Sequence, residues 1–386
     1  MSEPRFTLDG SAELEAHLER ICERVRDGVR AIVPVDKLDA VLLGGGYGRG
    51  EGGVLRTPAG DRPYNDLESF VCVRGHPVLA ERKFRHPLHE LGERLSPEAG
   101  LEVEFKVITL EKLRRSGPSM FYYDLVMGHR WIVGEETLLK GCDHHRAAPL
   151  IPLHEATRLL MNRCSGLLFS AERLARTEFT TAAADFVGRN LAKAQLAFGD
   201  VLLTARGQYH WSCLERHTRL ARLASEPAAK PAVPLVDLHR HHAAGVEFKL
   251  HPLRSNETRE ALAARHAELA SLGRQLWLWL EAQRLGRPFA TARDYACSPV
   301  NKCPETPGLR NRLVNARAFG AAAALSSKGT RYPRERLFHA LSLLLWEPAT
   351  HTDAALRSRV QKELNTSATE LPGLVEAYGQ LWGRFN

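Results

Sequence analysis

Two carboxylates near residue 66 have the spacing of a metal-binding pair. In the segment Asp66-Leu67-Glu68-Ser69-Phe70-Val71, the alternation of an extended strand directs Asp66 and Glu68 to the same face, with Cα atoms roughly 7 Å apart. Such a pair can converge on one or two Mg²⁺ ions, which offset the charge of phosphate groups. The alternative interpretation is an edge strand with a solvated acidic face.

A third carboxylate lies on a second candidate strand, Leu101 to Ile108. There Glu102, Glu104 and Lys106 share one face and the apolar residues share the other. If this strand pairs beside the Asp66 strand, Glu104 or Glu102 would complete a three-carboxylate cluster. A surface role explains Glu102 equally well, so the choice between the two stays open.

A glycine-rich turn, Gly44-Gly45-Gly46-Tyr47-Gly48-Arg49-Gly50, follows the apolar run Ala40-Val41-Leu42-Leu43. Glycines let backbone N–H groups approach phosphate oxygens without obstruction by a Cβ atom. The turn lacks Gly-Lys-Ser/Thr and is therefore not a P-loop. By itself it fits a phosphate cradle or a tight bend. Arg49 could bind a triphosphate with its guanidinium fork, or pair with Glu51 or the acidic strand.

The elements around these residues form a compact α/β plan. Hydrophobic spacing predicts, in order, a helix over 11–32, a strand over 40–43, the glycine turn, a strand over 66–73, a helix over 77–95 and a strand over 101–108.

Long alanine- and leucine-rich windows replace the strand signals after about residue 150. They predict helices over 155–176, 180–206, 259–285 and 334–346. Three prolines between residues 227 and 234 predict a linker, and hence a subdomain break near 225–235. The expected fold class is α+β, with a small mixed sheet flanked by helices in a domain over 1–145 and a mainly helical domain over 150–386.

The order of apolar strand, glycine turn, Asp-x-Glu strand and later lone carboxylate resembles the nucleotidyltransferase superfamily of the polymerase β type. The resemblance covers roughly residues 36 to 110. Its glycine turn, Gly45-Gly46-Tyr47-Gly48-Arg49-Gly50, is similar to the Gly-Ser-x-Ala-Arg-Gly version found in minimal and antibiotic-modifying nucleotidyltransferases.

This resemblance implies a transferase that moves a nucleoside monophosphate from an NTP, such as ATP, to an acceptor hydroxyl and releases pyrophosphate. Asp66, Glu68 and Glu104 would be the catalytic carboxylates and the ligands of Mg²⁺ or Mn²⁺. Gly45, Gly46, Tyr47 and Arg49 would bind the nucleotide. The acceptor would be a small molecule or an RNA end, or a protein partner that is nucleotidylated.

Three positions depart from the family pattern. Gly46 replaces the usual serine, Glu68 replaces the commoner aspartate, and residues 54–63 add what we expect to be an extra loop at the site. A second class of function therefore stays open, namely a catalytically impaired nucleotide- or RNA-binding protein that keeps the fold.

Three features of the helical half invite a functional interpretation. Lys193 lies on a polar helix stripe, and in related nucleotidyltransferases a helical domain supplies basic residues to the NTP, so it is a candidate nucleotide ligand or a solvated side chain. The segment His239-Arg240-His241-His242 is predicted to be an irregular surface segment. The basic segment from Lys328 to Arg336 fits phosphate binding, or a loop held by salt bridges.

Length, charge and cysteine content limit the classes of protein to which the chain can belong. The chain has 386 residues, a net charge of +8 and seven cysteines without a Cys-x-x-Cys pair, which favours reduced thiols over a disulfide framework or zinc site. It has no apolar run near the roughly 20 residues of a membrane span and no secretory signal pattern. We therefore expect a cytoplasmic protein with no membrane partner.

Overall fold

The computed structural model describes residues 5–225 and 233–386 and is a mixed α+β structure. It divides into two compact units. The sheet unit takes the described parts of Met1–Glu155, Leu203–Glu226 and His239–Leu253, and the helical unit takes those of Ala156–Leu202, Pro227–Leu238 and Arg254–Asn386. The assignment of catalysis to 1–145 and of the acceptor to 150–386 stays a prediction.

Among the described residues, the strands all lie before residue 134. They are β1 Leu38–Leu43, β2 Val54–Thr57, β3 Gly60–Pro63, β4 Leu67–Val73, β5 Val103–Ile108 and β6 Arg130–Val133. The helices are α1 Ala12–Ile32, α2 Gly45–Gly48, α3 Pro77–Ala99, α4 Leu110–Arg115, α5 Met120–Met127, α6 Leu153–Ala175, α7 Thr181–Ala205, α8 Cys213–Ser225, α9 Leu235–Leu250, α10 Arg259–Leu285, α11 Ala292–Cys297, α12 Gly308–Phe319, α13 Ala321–Leu325, α14 Arg334–Trp346, α15 Ala354–Leu364 and α16 Leu371–Phe385. Short 3₁₀ turns cover Glu136–Leu139, Asp143–His145, Ala148–Leu150 and Pro348–His351.

Four strands form a mixed sheet in the order β5-β4-β1-β6. Strand β1 pairs antiparallel with β4 and with β6, whereas β4 and β5 run parallel. The parallel pair needs a crossover, and α3 provides it. Strands β2 and β3 form a separate two-stranded sheet.

Helices α1 and α3 cover one face of the sheet. The apolar residues of α1 at helical spacing are all buried and pack with the inward residues of β1, β4, β5 and α3; they are Leu14, Leu18, Ile21, Cys22, Val25 and Val29. Ser11 begins α1 by accepting a hydrogen bond from the Leu14 N–H. Helix α3 extends to Ala99, four residues beyond the predicted end, and stops at Gly100, whose φ of 72° suits glycine.

Helices α4 and α5 cover part of the opposite face. Leu110 and Leu113 of α4, with Leu125 of α5, pack on Leu42 of β1 and Phe70 of β4. The predicted strands and the helix between them are thus present, and both faces of the sheet carry an apolar core.

Two local predictions were wrong. Residues 54–63, expected to be an extra loop, form the β2–β3 hairpin, with Val54 opposite Pro63. Residues His239 to His242 lie within α9, where Leu238, His242 and Val246 are buried four residues apart. His242 occupies an inward position of α9. The spacing of apolar residues alone therefore did not reveal the helical periodicity of this segment.

The predicted subdomain break near 225–235 falls largely on residues 226–232, which lie outside the described residues. Within the described part of the chain, none of the helices combines the length and apolar character needed to cross a membrane.

Candidate functional site

Glu68 and Glu104 are neighbours across the parallel strands. The register of β4 and β5 places Glu68 opposite Glu104, on the sheet face that also carries Phe70 and Lys106. Both side chains are about one-third exposed, at 33% for Glu68 and 37% for Glu104. The sequence left open whether the two strands pair; they do, and the register brings these two carboxylates side by side.

Asp66 and Glu102 each lie one residue before the start of the same two strands. The Leu67 N–H donates to the Glu102 carbonyl oxygen at 2.8 Å, which continues the parallel pairing one step before Val103. Both acidic residues are exposed. If the alternation continues one residue beyond the strands, they belong to the same face as Glu68 and Glu104.

Lys106 provides the positive charge of this face. Its ammonium nitrogen lies 3.7 Å from Glu68 Oε2 and 3.4 Å from Glu104 Oε2. The same nitrogen lies 5.5 Å from the centre of the Phe70 ring, within the range of a cation–π contact. The sequence placed Lys106 on the acidic face but gave it no role.

The glycine turn is joined directly to the acidic strand. The Gly44 N–H donates to the Glu68 carbonyl oxygen at 2.8 Å. Gly45 has a φ of 61°, and a Cβ atom placed on it would lie 3.5 Å from the Glu68 carboxyl carbon. The turn therefore runs beside the Glu68 side chain. The Gly46 carbonyl oxygen accepts from the Glu51 N–H at 2.9 Å, which closes the turn.

Tyr47 fastens the turn to the β2–β3 hairpin. Its side chain is fully buried, and its hydroxyl donates to the Gly53 carbonyl and accepts from the Tyr64 N–H, each at 2.9 Å. Burial raises the pKa of this phenol to about 12. Because the ring is enclosed and the hydroxyl is engaged, only the backbone of Tyr47 is left to meet a nucleotide.

Arg49 contacts an acidic residue that the sequence did not suggest. Its guanidinium Nη1 lies 3.4 Å from Asp124 Oδ2 on α5, and the side chain is 11% exposed. The Tyr209 hydroxyl donates to the same Asp124 oxygen at 3.2 Å. The pairing of Arg49 with Glu51 or with the acidic strand, one of the predicted alternatives, is not the contact observed.

Glu51 instead connects the glycine turn to α8. Its buried carboxylate accepts from the Ser212 hydroxyl and, at 2.9 Å, from the Cys213 N–H, which caps the start of that helix. Lys249 of α9 donates to the Glu51 carbonyl oxygen at 3.3 Å. Burial alone raises the pKa of Glu51, but the Lys249 charge and these hydrogen bonds outweigh it, so the pKa lies below its ordinary value.

A divalent ion fits the donor chemistry of the acidic face. Carboxylate oxygens are the ligands that Mg²⁺ and Mn²⁺ prefer, and one oxygen of Glu68 and one of Glu104 approach a single cation, the Lys106 ammonium. Among the described residues, however, no three His, Cys, Asp or Glu side chains are arranged to hold a metal ion. In the observed arrangement the carboxylates face an ammonium group.

The comparisons with known proteins do not assign the chain to a family. Neither the family models, nor the curated proteins, nor the solved structures with which the chain was compared gave a match. The geometry of the sheet unit is therefore the basis for a functional proposal.

The predicted residues of the helical unit are placed as follows. Lys193 is exposed on α7, and its role as a nucleotide ligand stays a prediction. In the basic segment, Arg331 pairs with Glu335 at 2.7 Å and donates to the Pro299 carbonyl, while Arg334 donates to the Phe385 carbonyl. These contacts are those of a loop held by internal bonds, the second of the two interpretations of this segment.

Proposed function

We propose that the protein is a metal-dependent nucleotidyltransferase that moves a nucleoside monophosphate from an NTP to an acceptor hydroxyl. The observation that carries the proposal is the adjacency of Glu68 and Glu104 across β4 and β5, with the glycine turn bonded to the Glu68 backbone. In support of the proposal, β1, β4 and β5 bring the glycine turn, Glu68 and Glu104 together at one end of the sheet.

The glycine turn offers donors for the triphosphate. The backbone N–H groups of Gly45, Gly46 and Tyr47 open α2, and within the described chain they donate no hydrogen bond. Such groups suit phosphate oxygens. In the proposed complex they bind the triphosphate beside Glu68. The buried Tyr47 ring and the hydrogen bonds of the Glu51 carboxylate to Ser212 and Cys213 hold the turn in place.

The acidic residues have distinct roles in the proposed reaction. Asp66, Glu68 and Glu104 would hold the divalent ion, and Glu104, beside Glu68, would lie nearest the acceptor hydroxyl and accept its proton. When bound, the ion would offset the charge of the triphosphate and lower the pKa of the hydroxyl. The oxygen of the acceptor attacks the α-phosphorus, the bond to the bridging oxygen breaks, and pyrophosphate leaves with the displaced electron pair.

A non-catalytic nucleotide-binding protein is the second candidate. One observation favours it: Gly46 supplies no hydroxyl where the family has serine, so phosphate contacts at this position are limited to the backbone. The acceptor of the leading proposal belongs to one of three classes, a small molecule, an RNA end or a protein side chain.

The test is a transfer assay with each α-³²P-labelled NTP, Mg²⁺ or Mn²⁺, and pools of hydroxyl-bearing metabolites, RNA oligonucleotides or protein. The wild-type chain should yield a labelled product, and the Asp66→Ala, Glu68→Ala double variant should yield none. A matched control, Glu19→Ala with Glu23→Ala, removes two exposed carboxylates of α1 and should retain activity. Binding of NTP with metal but no labelling would favour the second candidate. The proposal fails if neither NTP nor metal changes the melting temperature.

A further inference from the structure

Helix α12 of the helical unit buries polar side chains and exposes apolar ones. Asn311 and Asn315 are 1% and 4% exposed, whereas Leu309 and Leu313 are 83% and 64% exposed. A surface helix ordinarily has the reverse arrangement, with its apolar stripe toward the core. The two leucines therefore form an exposed apolar ridge along α12.

The two asparagines fix this orientation of the helix. The Asn311 amide donates to the Thr330 carbonyl at 2.8 Å. The Asn315 amide donates to the Gly329 and Arg331 carbonyls at 3.0 Å and 2.8 Å. Because a rotation of α12 would leave these buried polar groups without partners, the leucines stay on the outer side.

Arginines border the leucine ridge on both sides. Helical spacing of about 100° per residue places Arg310 and Arg317 on one side of the ridge and Arg312 on the other. All three arginines are exposed, and within the described parts of the chain none of them has an ion pair. The border of the ridge is therefore positively charged.

The acidic residues that flank this segment in the sequence do not neutralise it. No Asp or Glu occurs between Glu305 and Glu335. The Glu305 carboxylate lies 3.6 Å from the Arg284 guanidinium, and the Glu335 carboxylate pairs with Arg331 at 2.7 Å. The exposed face of α12 thus combines an apolar centre with an unneutralised basic border.

This combination distinguishes between possible occupants of the face. A second copy that presented the same face would bring like charges together. Nucleic acid would bind the arginines through its phosphates, but its bases stack on aromatic rings, which the ridge lacks. A lipid surface holds a helix through its apolar area, and two leucines supply little of it. A protein groove with an apolar floor and an acidic rim matches both parts of the face, because protein interfaces combine an apolar core with a polar rim.

We propose that α12 is a docking helix for a partner protein. Its two exposed leucines insert into an apolar groove of the partner, and its three exposed arginines pair with Asp and Glu side chains at the rim of that groove. Apolar anchors at positions i and i+4 are typical of a helix that binds in a groove. The inference goes beyond the proposed nucleotidyl transfer and does not depend on it.

The first test places the photo-crosslinker p-benzoylphenylalanine at position 313 of the full chain in its native cells. The control carries it at Val78, a position of α3 that is 66% exposed. Irradiation should join the probe at position 313 to one protein, at a segment rich in Asp, Glu and apolar residues, and the probe at position 78 should not capture that protein. No adduct above the control, or adducts only with lipid, RNA or a second copy of this chain, would overturn the proposal.

Binding of the purified partner then tests the leucines by isothermal titration calorimetry. Leu309→Gln with Leu313→Gln should raise the dissociation constant at least about tenfold. This variant should melt with wild type, because both leucines are exposed in the free chain. Unchanged affinity would overturn the proposal. A lower melting temperature would show that the leucines stabilise the fold, and would also overturn it.

The same titration tests the charged border. The triple variant Arg310→Gln, Arg312→Gln, Arg317→Gln should also raise the dissociation constant at least about tenfold, because the partner's acidic rim loses its counter-charges. The control removes three exposed arginines of α1 and α3 and should bind as wild type does; it carries Arg20→Gln, Arg30→Gln and Arg94→Gln. Equal losses of affinity in the two triple variants would indicate a general charge effect and would contradict docking through α12.

Discussion

The carbonyl oxygen of Glu51 lies 2.9 Å from the position that a Cβ atom on Gly46 would occupy. A carbon and an oxygen atom do not approach so closely without strain, and the obstacle is backbone held in place by the hydrogen bond from Glu51 N–H to Gly46. Glycine at position 46 is therefore required by the shape of this turn. The local shape therefore accounts for a glycine at the position where the family that the sequence resembles has serine.

Placing serine at position 46, as in the family that the sequence resembles, should destabilise the protein. We expect Gly46→Ser to lower the free energy of unfolding by about 1–3 kcal/mol, because the new side chain overlaps the Glu51 backbone. Urea unfolding followed by circular dichroism measures this. Gly117→Ala is the control, since a Cβ at Gly117 meets nothing within 4 Å. Equal stability of Gly46→Ser and wild type would show that the turn is not as tight as described.

The two hydrogen bonds of the Tyr47 hydroxyl should contribute measurably to the free energy of unfolding. Tyr47→Phe removes its bonds to Gly53 and Tyr64 and should cost about 1–3 kcal/mol in the free energy of unfolding. Tyr122→Phe is a suitable comparison, because the Tyr122 hydroxyl has no hydrogen bond among the described residues. If both variants unfold at the same urea concentration, Tyr47 does not fasten the hairpin.

Loss of the Glu51 charge should change how stability depends on pH. Because the folded pKa is depressed, the ionised carboxylate contributes stability above the ordinary pKa of 4.5, and this contribution is lost as the pH falls through the folded pKa. Glu51→Gln should therefore cost about 1–2 kcal/mol at neutral pH, and its difference from wild type should shrink below pH 4.5.

Urea unfolding at neutral pH and at several acidic pH values measures this effect. Glu23→Gln, at an exposed position of α1, is the matched control and should follow wild type throughout. A Glu51→Gln difference that stays constant across the whole pH range would contradict the role of the buried charge.

Period-two alternation was sufficient to predict the strand pair at the centre of the site. It placed Asp66 and Glu68 on one side of their strand, and Glu102, Glu104 and Lys106 on one side of theirs, before any pairing was known. It could not predict the parallel register that puts Glu68 opposite Glu104, since register depends on the whole sheet.

Other parts of the sheet unit left weak local signals. Strand β6 has only four residues, and the β2–β3 hairpin contains proline, glycine and charged side chains that are typical of a loop. The bond from Glu51 to Cys213 joins residues 162 positions apart, and no short window of sequence records it. Strand alternation therefore predicted the acidic residues of this face, but not the contacts of Tyr47 and Glu51 that hold the glycine turn.

The most direct test of the central claim compares two labelled forms of the same NTP. With a suitable acceptor, label on the α-phosphate should pass to the product and label on the γ-phosphate should leave as pyrophosphate. The Asp66→Ala, Glu68→Ala double variant should lower both signals at least about a hundredfold. Transfer of the γ-label to the acceptor would indicate a phosphotransferase. Undiminished transfer of the α-label by the double variant would show that this acidic face is not the active site.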